Sequence, residues 1–394
     1  MNIIRLFTIT LVVILSGCAT VPAHHAVPKN LITEAAVTGA PHGRFWGDEL
    51  PKYTSESLLK MSDAEARRSF SGIYAKPHNY LAISGGGSNG AFGAGLLAGW
   101  SAAGTRPEFT MVTGVSTGAL SAPFAFLGSG YDARLKEVYT TISTKDIAAK
   151  RNIIAVAFGD SMAKTDPLKK LLKKYITVEM IDAIARETKK GRRLFVGTVN
   201  LEAGRPVIWN IGAIAASNRD DRVELIHNIL LASASIPVAF PPVSIPVEAN
   251  GASYDELHVD GGTGSQVFVY PAAIDWRKIT KILRVKGKPK VYVIRNSFLD
   301  PDYLGMKRNL LPIGMRTIDS LIRTQGIGDL YQIYALTKRD GNEFNLAYIP
   351  PDFTEEQKEK FDPLYMNKLF DRGYQMGLDG YPWKNAPPGF ILQR

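Results

Sequence analysis

The fold is decided by the stretch Tyr80-Leu81-Ala82-Ile83-Ser84-Gly85-Gly86-Gly87-Ser88-Asn89-Gly90, in which an apolar run leads into a glycine-rich loop. The apolar run predicts a buried strand, and residues 91–100 predict a helix after the loop. Glycines let a chain turn sharply and approach a ligand closely, so the backbone N–H groups of this loop can bind an anion. The loop therefore predicts either an oxyanion hole or a phosphate site.

The sequence contains a second strand–turn–helix unit, centred on Gly114-Val115-Ser116-Thr117-Gly118. Residues 109–113 are apolar and β-prone, and residues 119–127 predict a buried helix, which is the context of a nucleophile elbow. Side chains at positions 114 and 118 would collide with the adjoining strand or helix. Ser116 is therefore the candidate nucleophile, and the N–H of Thr117 can face a developing oxyanion.

The first loop also satisfies G-x-G-x-x-G, the fingerprint of dinucleotide-binding proteins. That interpretation requires an acidic residue at the end of the next strand, where it would hold a ribose hydroxyl. Here the next strand leads directly into Ser116. The nucleotide interpretation is weakened but stays open as an alternative.

The sequence offers no late histidine to activate Ser116. None of its 6 histidines follows His258, whereas α/β-hydrolases have the chain order Ser, acid, then a late His. This leaves Asp260, in Asp260-Gly261-Gly262, as the candidate base. His258 lies two residues earlier on the same predicted strand and can face the same cavity, although a hydrogen-bonded polar residue beside the site is the simpler interpretation.

Four segments, in this order, resemble the patatin-like phospholipase family, whose acyl hydrolases use a Ser–Asp dyad without histidine. They are Gly85-Gly86-Gly87-Ser88-Asn89-Gly90, Gly114-Val115-Ser116-Thr117-Gly118, Ala232-Ser233-Ala234-Ser235-Ile236-Pro237 with Phe240-Pro241-Pro242, and Asp260-Gly261-Gly262. The similarity spans residues 78–300, and four ordered motifs make it more specific than any one of them.

The resemblance implies a role for each matching residue. Ser116 would be the nucleophile, Asp260 would accept its proton, and Gly86 and Gly87 would donate N–H bonds to the oxyanion. The remaining motif glycines are Gly85, Gly90, Gly114, Gly118, Gly261 and Gly262. The family would require no cofactor and would act on an acyl lipid.

The sequence departs from the family pattern at two places. Asn89 stands where the family often has a basic residue before the last glycine of the loop, which puts substrate preference in doubt. Asn89 can still donate a side-chain hydrogen bond. After Asp260-Gly261-Gly262 the chain continues with Thr263-Gly264-Ser265-Gln266 in place of small apolar residues and Asn-Pro, so the acyl pocket is expected to differ.

The N-terminus predicts a lipid-anchored protein of the bacterial cell envelope. An apolar run at residues 6–15 is too short to span a bilayer, and Leu15-Ser16-Gly17-Cys18 is similar to a lipobox. We expect residues 1–17 to be a signal peptide and Cys18, the only cysteine, to be acylated. Ala19 after it resembles the sorting pattern for the outer membrane. An ordinary secretory signal or an uncleaved apolar tail are the alternatives.

The remaining chain predicts one catalytic unit with additions. Residues 18–70 are interpreted as a tether, polar with scattered Pro and Gly over 24–47, followed by a short helix with a capping box at Ser62–Glu65. Residues 71–300 are assigned to the catalytic domain, and residues 301–394 to a C-terminal helical extension packed on the core. In that extension we expect helices at 316–338 and 363–376 and a strand at 345–349.

Alternating strands and helices predict an α/β fold, with a mainly parallel sheet and helices on both faces. The strands are expected near residues 79–84, 109–114, 193–200, 206–210, 256–260 and 290–295. Of the 394 residues, 45% are hydrophobic and 21% charged, enough to bury a substantial core. Both glycine turns would then lie at the carboxyl ends of strands, where such sheets bind ligands.

The net charge is +10, and one of the positive charges, Arg5, lies in the predicted signal peptide. Basic residues cluster at Lys169, Lys170, Lys173 and Lys174, where a solvated helix face is the simpler interpretation and docking to anionic phospholipid the sharper one. Export argues against nucleic acid, and no His, Cys or carboxylate cluster has metal-ligand spacing.

Two classes of function follow from these patterns. The first is a membrane-anchored serine acyl hydrolase of the phospholipase, lipase or esterase type. The second is a non-catalytic envelope lipoprotein that uses the fold as a binding or assembly module. The presence of Ser116, Asp260 and the glycine loop together favours the hydrolase, because a scaffold needs none of them.

Overall fold

The computed structural model describes residues 24–150, 161–301, 303, 305, 306 and 308–390, so the predicted signal peptide and Cys18 lie outside the described residues. The strands are β1 (Arg44–Trp46), β2 (Asn79–Ile83), β3 (Met111–Val115), β4 (Ala149–Lys150), β5 (Ala163–Lys164), β6 (Arg193–Asn200), β7 (Arg205–Asn210), β8 (Val243–Ala249), β9 (Ala252–Asp260), β10 (Lys290–Arg295) and β11 (Glu343–Tyr348). The helices are α1 (Lys52–Glu56), α2 (Asp63–Ser69), α3 (Gly90–Ala102), α4 (Thr117–Leu127), α5 (Asp132–Thr140), α6 (Thr144–Ile147), α7 (Asp166–Tyr175), α8 (Val178–Lys189), α9 (Ile211–Ala215), α10 (Arg222–Ser233), α11 (Trp276–Ile282), α12 (Leu310–Arg339) and α13 (Pro363–Leu378).

One mixed sheet of nine strands organises the part of the chain that the structure describes. Its main path runs β1-β7-β6-β3-β2-β10-β11, and β9, which carries β8 as a hairpin partner, also pairs with β6. The five strands from β6 to β11 along this path are parallel, whereas β1, β7, β8 and β9 pair antiparallel. The predicted α/β class with a mainly parallel sheet is confirmed.

Side chains of the central strands alternate between two hydrophobic cores, as the two-residue period of a strand requires. On β2, Leu81 and Ile83 join the core beneath α3, α4 and α10, whereas Tyr80 and Ala82 join the core beneath α11 and α12. Helices therefore cover both faces, and the near-continuous apolar runs of β2 and β3 are explained by burial on both sides.

The segment interpreted as a tether, residues 24–47, lies packed on the domain. Its β1 pairs with β7, Ala36 pairs with Glu248 of β8, and Val27 and Ala35 pack against Val247 and Ala249. The segment has no helical or strand period because isolated bridges, rather than a long strand, attach it to the sheet. The segment with scattered Pro and Gly is therefore an irregular layer that covers the domain, and not a free linker.

The C-terminal region adds a strand to the sheet and packs a helix against α3, the helix that follows the glycine loop. Strand β11 pairs parallel with β10, and α13 crosses α3 with glycines from both helices at the contact. A Cβ atom on Gly95 or Gly99 would overlap a carbonyl oxygen of α13, and one on Gly373 or Gly377 would overlap a carbonyl oxygen of α3. The two backbones can approach this closely only because these positions lack side chains.

None of the described helices is both long enough and apolar enough to cross a membrane. Among the same residues, no three His, Cys, Asp or Glu side chains are grouped in a way that could hold a metal ion.

Candidate active site

Two strand ends meet on one edge of β6. Strand β7 occupies the other edge of β6 from Phe195 to Asn200, so β3 and β9 share the remaining one. Strand β3 runs parallel to β6 and ends with Val115 opposite Gly197, while β9 runs antiparallel and ends with Asp260 opposite Thr198. The residue after Val115 is Ser116. The register therefore places the predicted nucleophile and the predicted base against each other.

Ser116 occupies a strained turn between β3 and α4. Its φ of 55° and ψ of −126° lie in a region that non-glycine residues rarely adopt. A Cβ atom at Gly114 would overlap the backbone of Gly118, and one at Gly118 would overlap that of Ile83. The steric reason predicted for the two flanking glycines is therefore present in the structure.

The third predicted motif holds both strand ends in place. Ser233 Oγ accepts a hydrogen bond from the Ser116 N–H at 3.0 Å and donates one to the Gly197 carbonyl at 2.7 Å. The Ser235 carbonyl accepts from the Asp260 N–H at 2.9 Å. The sequence indicated this motif only by resemblance, and the hydrogen bonds supply its physical role.

The Asp260 carboxyl group is buried beside the serine. Its Oδ1 accepts from the Gly262 N–H at 2.7 Å, whereas Oδ2 is buried without a partner among the described residues. Burial raises the pKa of Asp260 to about 7, while the neighbouring Ser116 hydroxyl and the Gly262 N–H act to lower it. No ordinary hydrogen bond joins Ser116 to Oδ2 here, and such bonds commonly tighten only when substrate binds.

The glycine loop passes directly over Ser116. A Cβ atom on Gly85 would lie 3.2 Å from Ser116 Cβ, and Gly86 and Gly87 have φ values of 153° and 58°. None of the hydrogen bonds found among the described residues uses the N–H of Gly86, Gly87 or Thr117. The three predicted oxyanion donors are therefore free to bind a ligand oxygen.

Two residues that the sequence did not single out hold this loop. Asn296 follows β10, and its side chain accepts from Gly93 N–H at 3.1 Å and donates to the Ser84 carbonyl at 3.0 Å. Tyr365 of α13 donates to Asn89 Oδ1 at 2.8 Å. A polar residue at the carboxyl end of a predicted strand was the available signal for Asn296, whereas nothing in the sequence connects Tyr365 with Asn89.

His258 belongs to a buried polar chain that makes no hydrogen bond to the Asp260 side chain. Its Nδ1 shares a hydrogen bond with Thr198 Oγ1 at 2.9 Å, and its Nε2 lies 3.0 Å from Glu256 Oε2. Glu256 is in turn ion-paired with Arg44. Because burial lowers the pKa of His258, the ring is favoured in its neutral form. Both ring nitrogens are occupied, as the simpler interpretation of this residue predicted.

The comparisons with known proteins agree with the predicted resemblance. Residues 81–273 match the family model described as "Patatin-like phospholipase", a range that includes all four motifs. No curated protein matches the chain. The structural alignment with VipD from Legionella pneumophila covers 77% of this chain and 67% of that chain, at 10% sequence identity and a TM-score of 0.38.

The chain therefore carries a patatin-like phospholipase domain, and the predicted family is confirmed. Membership supports lipid acyl hydrolysis in general.

The strain at Ser116 yields a stability prediction that is independent of activity. Ser116→Gly and Ser116→Ala both remove the hydroxyl, but only glycine adopts a φ of 55° without steric cost. We expect the Gly variant to be the more stable of the two by about 1 kcal/mol, measured by urea unfolding. At Ser121, inside α4, the same pair should show the opposite order, since glycine weakens a helix interior. The same order at both positions would contradict a strained turn at Ser116.

Proposed function

We propose that this protein is a serine acyl hydrolase that cleaves acyl esters of lipids with Ser116 as nucleophile and Asp260 as base. The observation that carries the proposal is the meeting of β3 and β9 on β6, which sets a buried carboxyl group beside a strained serine under three free N–H donors. A non-catalytic binding module would not require this combination.

The proposed reaction proceeds in two acyl transfers. Ser116 Oγ attacks the ester carbonyl carbon while Asp260 Oδ2 accepts the hydroxyl proton. The negative charge that develops on the carbonyl oxygen is stabilised by the N–H groups of Gly86, Gly87 and Thr117. Asp260 then gives its proton to the leaving alcohol. In the second transfer Asp260 accepts a proton from the water that attacks the acyl-enzyme. As the bond between the acyl carbon and Ser116 Oγ breaks, Asp260 returns this proton to Oγ, and the carboxylic acid is released.

The environment of Asp260 suits a carboxylate to this role. An ordinary aspartate, with a pKa near 3.8, is a weak base at neutral pH. With its pKa raised to about 7 by burial, Asp260 is a stronger base and is still substantially ionised at neutral pH. The Gly262 N–H holds Oδ1, which leaves Oδ2 for the proton of Ser116.

We propose a lipid as substrate and the bacterial outer membrane as the place of action, with an anchor on Cys18. The proposal rests on the lipobox-like Leu15-Ser16-Gly17-Cys18 and on the family. The basic helix α7 supports an additional weak attraction to anionic lipid. It buries Leu168 and Leu172 and exposes Lys169, Lys170 and Lys173, while Lys174 is ion-paired with Glu137.

The base is tested by the pH dependence of ester hydrolysis. Protonated Asp260 cannot accept the serine proton, so kcat/KM for a nitrophenyl ester should rise with pH and level off above about 7. Asp260→Asn should lower turnover at least about 10²-fold and abolish this dependence. His258→Gln is the control and should keep much of the activity with the same midpoint of the pH dependence, because the ring bonds to Thr198 and Glu256 and not to Asp260. A midpoint that moves in His258→Gln but persists in Asp260→Asn would assign the base to the histidine.

The oxyanion loop is tested by two glycines with the same backbone conformation. Gly87 and Gly104 have φ values of 58° and 69°, and a Cβ atom on either would meet nothing within 4 Å. Gly87→Val should displace the N–H donors and lower turnover by about 10²–10³. Gly104→Val, with similar strain far from Ser116, should leave turnover almost unchanged.

The nucleophile is tested by labelling with a fluorophosphonate, which should disappear in Ser116→Ala. Micromolar binding of NAD without esterase activity would overturn the proposal in favour of a nucleotide site.

The anchor is tested by labelling cells with radioactive palmitate. The wild type should incorporate the label, whereas Cys18→Ser should remain an uncleaved, unlabelled precursor. Equal labelling of the two proteins would refute acylation at Cys18 and leave the proposed hydrolase chemistry untouched.

A further inference from the structure

A second cavity lies away from the catalytic serine, at the amino ends of the parallel strands. Its volume is about 780 Å³, within the range of small-molecule sites. Its floor is the face of the sheet that carries Tyr80, Met111 and Phe195, and its cover comes from the segments 33–58 and 268–283. Neither Ser116 nor Asp260 lines it. The proposed hydrolysis therefore makes no use of this cavity.

The lining is mainly apolar and aromatic. Phe45 packs edge-on against Phe195 with ring centroids 5.8 Å apart, and Tyr270 stacks on Trp276 at 4.3 Å. Ile208 of β7 extends this surface on the sheet. Such a lining favours the burial of a hydrocarbon chain, at about 0.8 kcal/mol for each methylene group.

Arg193, at the start of β6, lines this apolar space together with Arg44 and Lys52. Its Nη1 donates to the carbonyls of Thr188 and Arg192 at 3.2 and 2.9 Å, and its guanidinium lies 5.0 Å from the ring centroid of Phe70. A hydrogen bond with Tyr53 acts to raise the pKa of the guanidinium. Because Arg44 is ion-paired with Glu256 and Lys52 is exposed to solvent, Arg193 is the best placed of the three to bind an anion.

Arg193 has no carboxylate partner among the described residues. Arg44, Arg106 and Arg192 also have largely buried side chains, and they pair with Glu256, Asp132 and Glu187. Arg295 resembles Arg193 in having no ion pair among the described residues. Burial lowers the pKa of Arg193, whereas a hydrogen bond with Tyr53 acts to raise it. A cation with little access to water and no counterion is costly, and an anionic ligand would remove that cost.

Two further polar atoms at the cavity are also unsatisfied. Trp276 Nε1 and Thr188 Oγ1 are buried and have no hydrogen-bond partner among the described residues, and both residues line the cavity. Buried polar atoms normally have partners. Polar groups without protein partners therefore occur in the same cavity as an arginine that has no carboxylate partner.

We propose that this cavity binds a long-chain fatty acid, with its carboxylate on Arg193 and its hydrocarbon chain against the apolar side chains of Phe45, Phe195 and Ile208. A guanidinium and a carboxylate match in a two-pronged geometry, and the apolar lining suits an acyl chain. The site is separate from Ser116, so the binding goes beyond the proposed hydrolysis and does not depend on it.

The location of the bound chain is tested with a fatty acid that carries bromine atoms, 9,10-dibromostearate, which quenches tryptophan fluorescence at short range. The experiment uses the Ser116→Ala protein so that no turnover occurs. Trp46 and Trp276 line the cavity, whereas Trp100, Trp209 and Trp383 do not. We expect saturable quenching that is largely lost when Trp46 and Trp276 are both replaced by Phe, while calorimetry shows that this double variant still binds. Unchanged quenching in the double variant would place the chain elsewhere and overturn the proposal.

The role of Arg193 is tested by calorimetry with oleate and its methyl ester. Losing a charge-assisted hydrogen bond should weaken oleate binding at least about tenfold in Arg193→Gln, whereas methyl oleate should bind both proteins alike. Arg205→Gln is the matched control, because that arginine pairs with Asp48 and Glu49 and does not line the cavity. Equal oleate affinity in Arg193→Gln and the wild type would overturn the assignment.

A folding defect in Arg193→Gln would not end the test. Ile208→Trp, which fills the floor of the cavity without touching the arginine, should also abolish oleate binding. Esterase activity of this variant should persist, because Ser116 lies at the opposite ends of the strands. Oleate binding that survives in Ile208→Trp would refute the cavity as its site.

Discussion

The site depends on the way one edge of β6 is shared. Strand β3 uses that edge up to Gly197 and β9 uses it from Thr198 onward, from the opposite direction. Two chain segments far apart in sequence thus end on adjacent residues. Because hydrogen bonds fix both registers, a slip of either strand would separate Ser116 from Asp260. Ser233 and Ser235 reinforce the arrangement by bonding to the same two strand ends.

The second constraint is that backbone segments around the site lie very close together. Glycine permits this because it has no side chain. Gly114 and Gly118 let β3, α4 and the end of β2 meet beneath the serine, and Gly85 lets the loop pass over it. The same device recurs where α13 crosses α3. Since α3 begins at the end of the glycine loop, the C-terminal region helps to fix the N–H donors, and Tyr365 adds a direct hydrogen bond to Asn89. The extension is therefore part of the site's support.

The protein contains two contrasting buried charge arrangements. Glu256 Oε2 and both ring nitrogens of His258 are bonded within a chain that runs from Arg44 to Thr198, and Glu256 Oε1 is buried without a partner among the described residues. Asp260 Oδ2 is likewise without a partner there, and Arg193 has no carboxylate partner. Unsatisfied buried groups are costly to folding. For Asp260 we propose a transferred proton, and for Arg193 a bound carboxylate.

The local units follow from the sequence alone, because strand–turn–helix patterns and glycine spacing are local properties of a chain. Strands near β2, β3, β6 and β10 and the helices after both turns were predictable from apolar periodicity, as were α13 to within two residues and α12 except for its first six residues. The choice of Asp260 followed from the absence of a late histidine. Strand β8 was not predicted, since it contains Pro246 and proline argues against a strand. The segment 24–47 resembles a tether in sequence because its attachment depends on partners distant in sequence.

Which distant groups meet depends on the tertiary structure. The shared edge of β6, the contact of Tyr365 with Asn89 and the lack of a carboxylate partner at Arg193 arise from long-range packing that no local pattern encodes. Burial likewise sets the pKa of Asp260, because the cost of charging a carboxyl group depends on how much water the whole fold excludes from it. The residue types were legible in the chain, but their protonation and partners follow from three-dimensional neighbours.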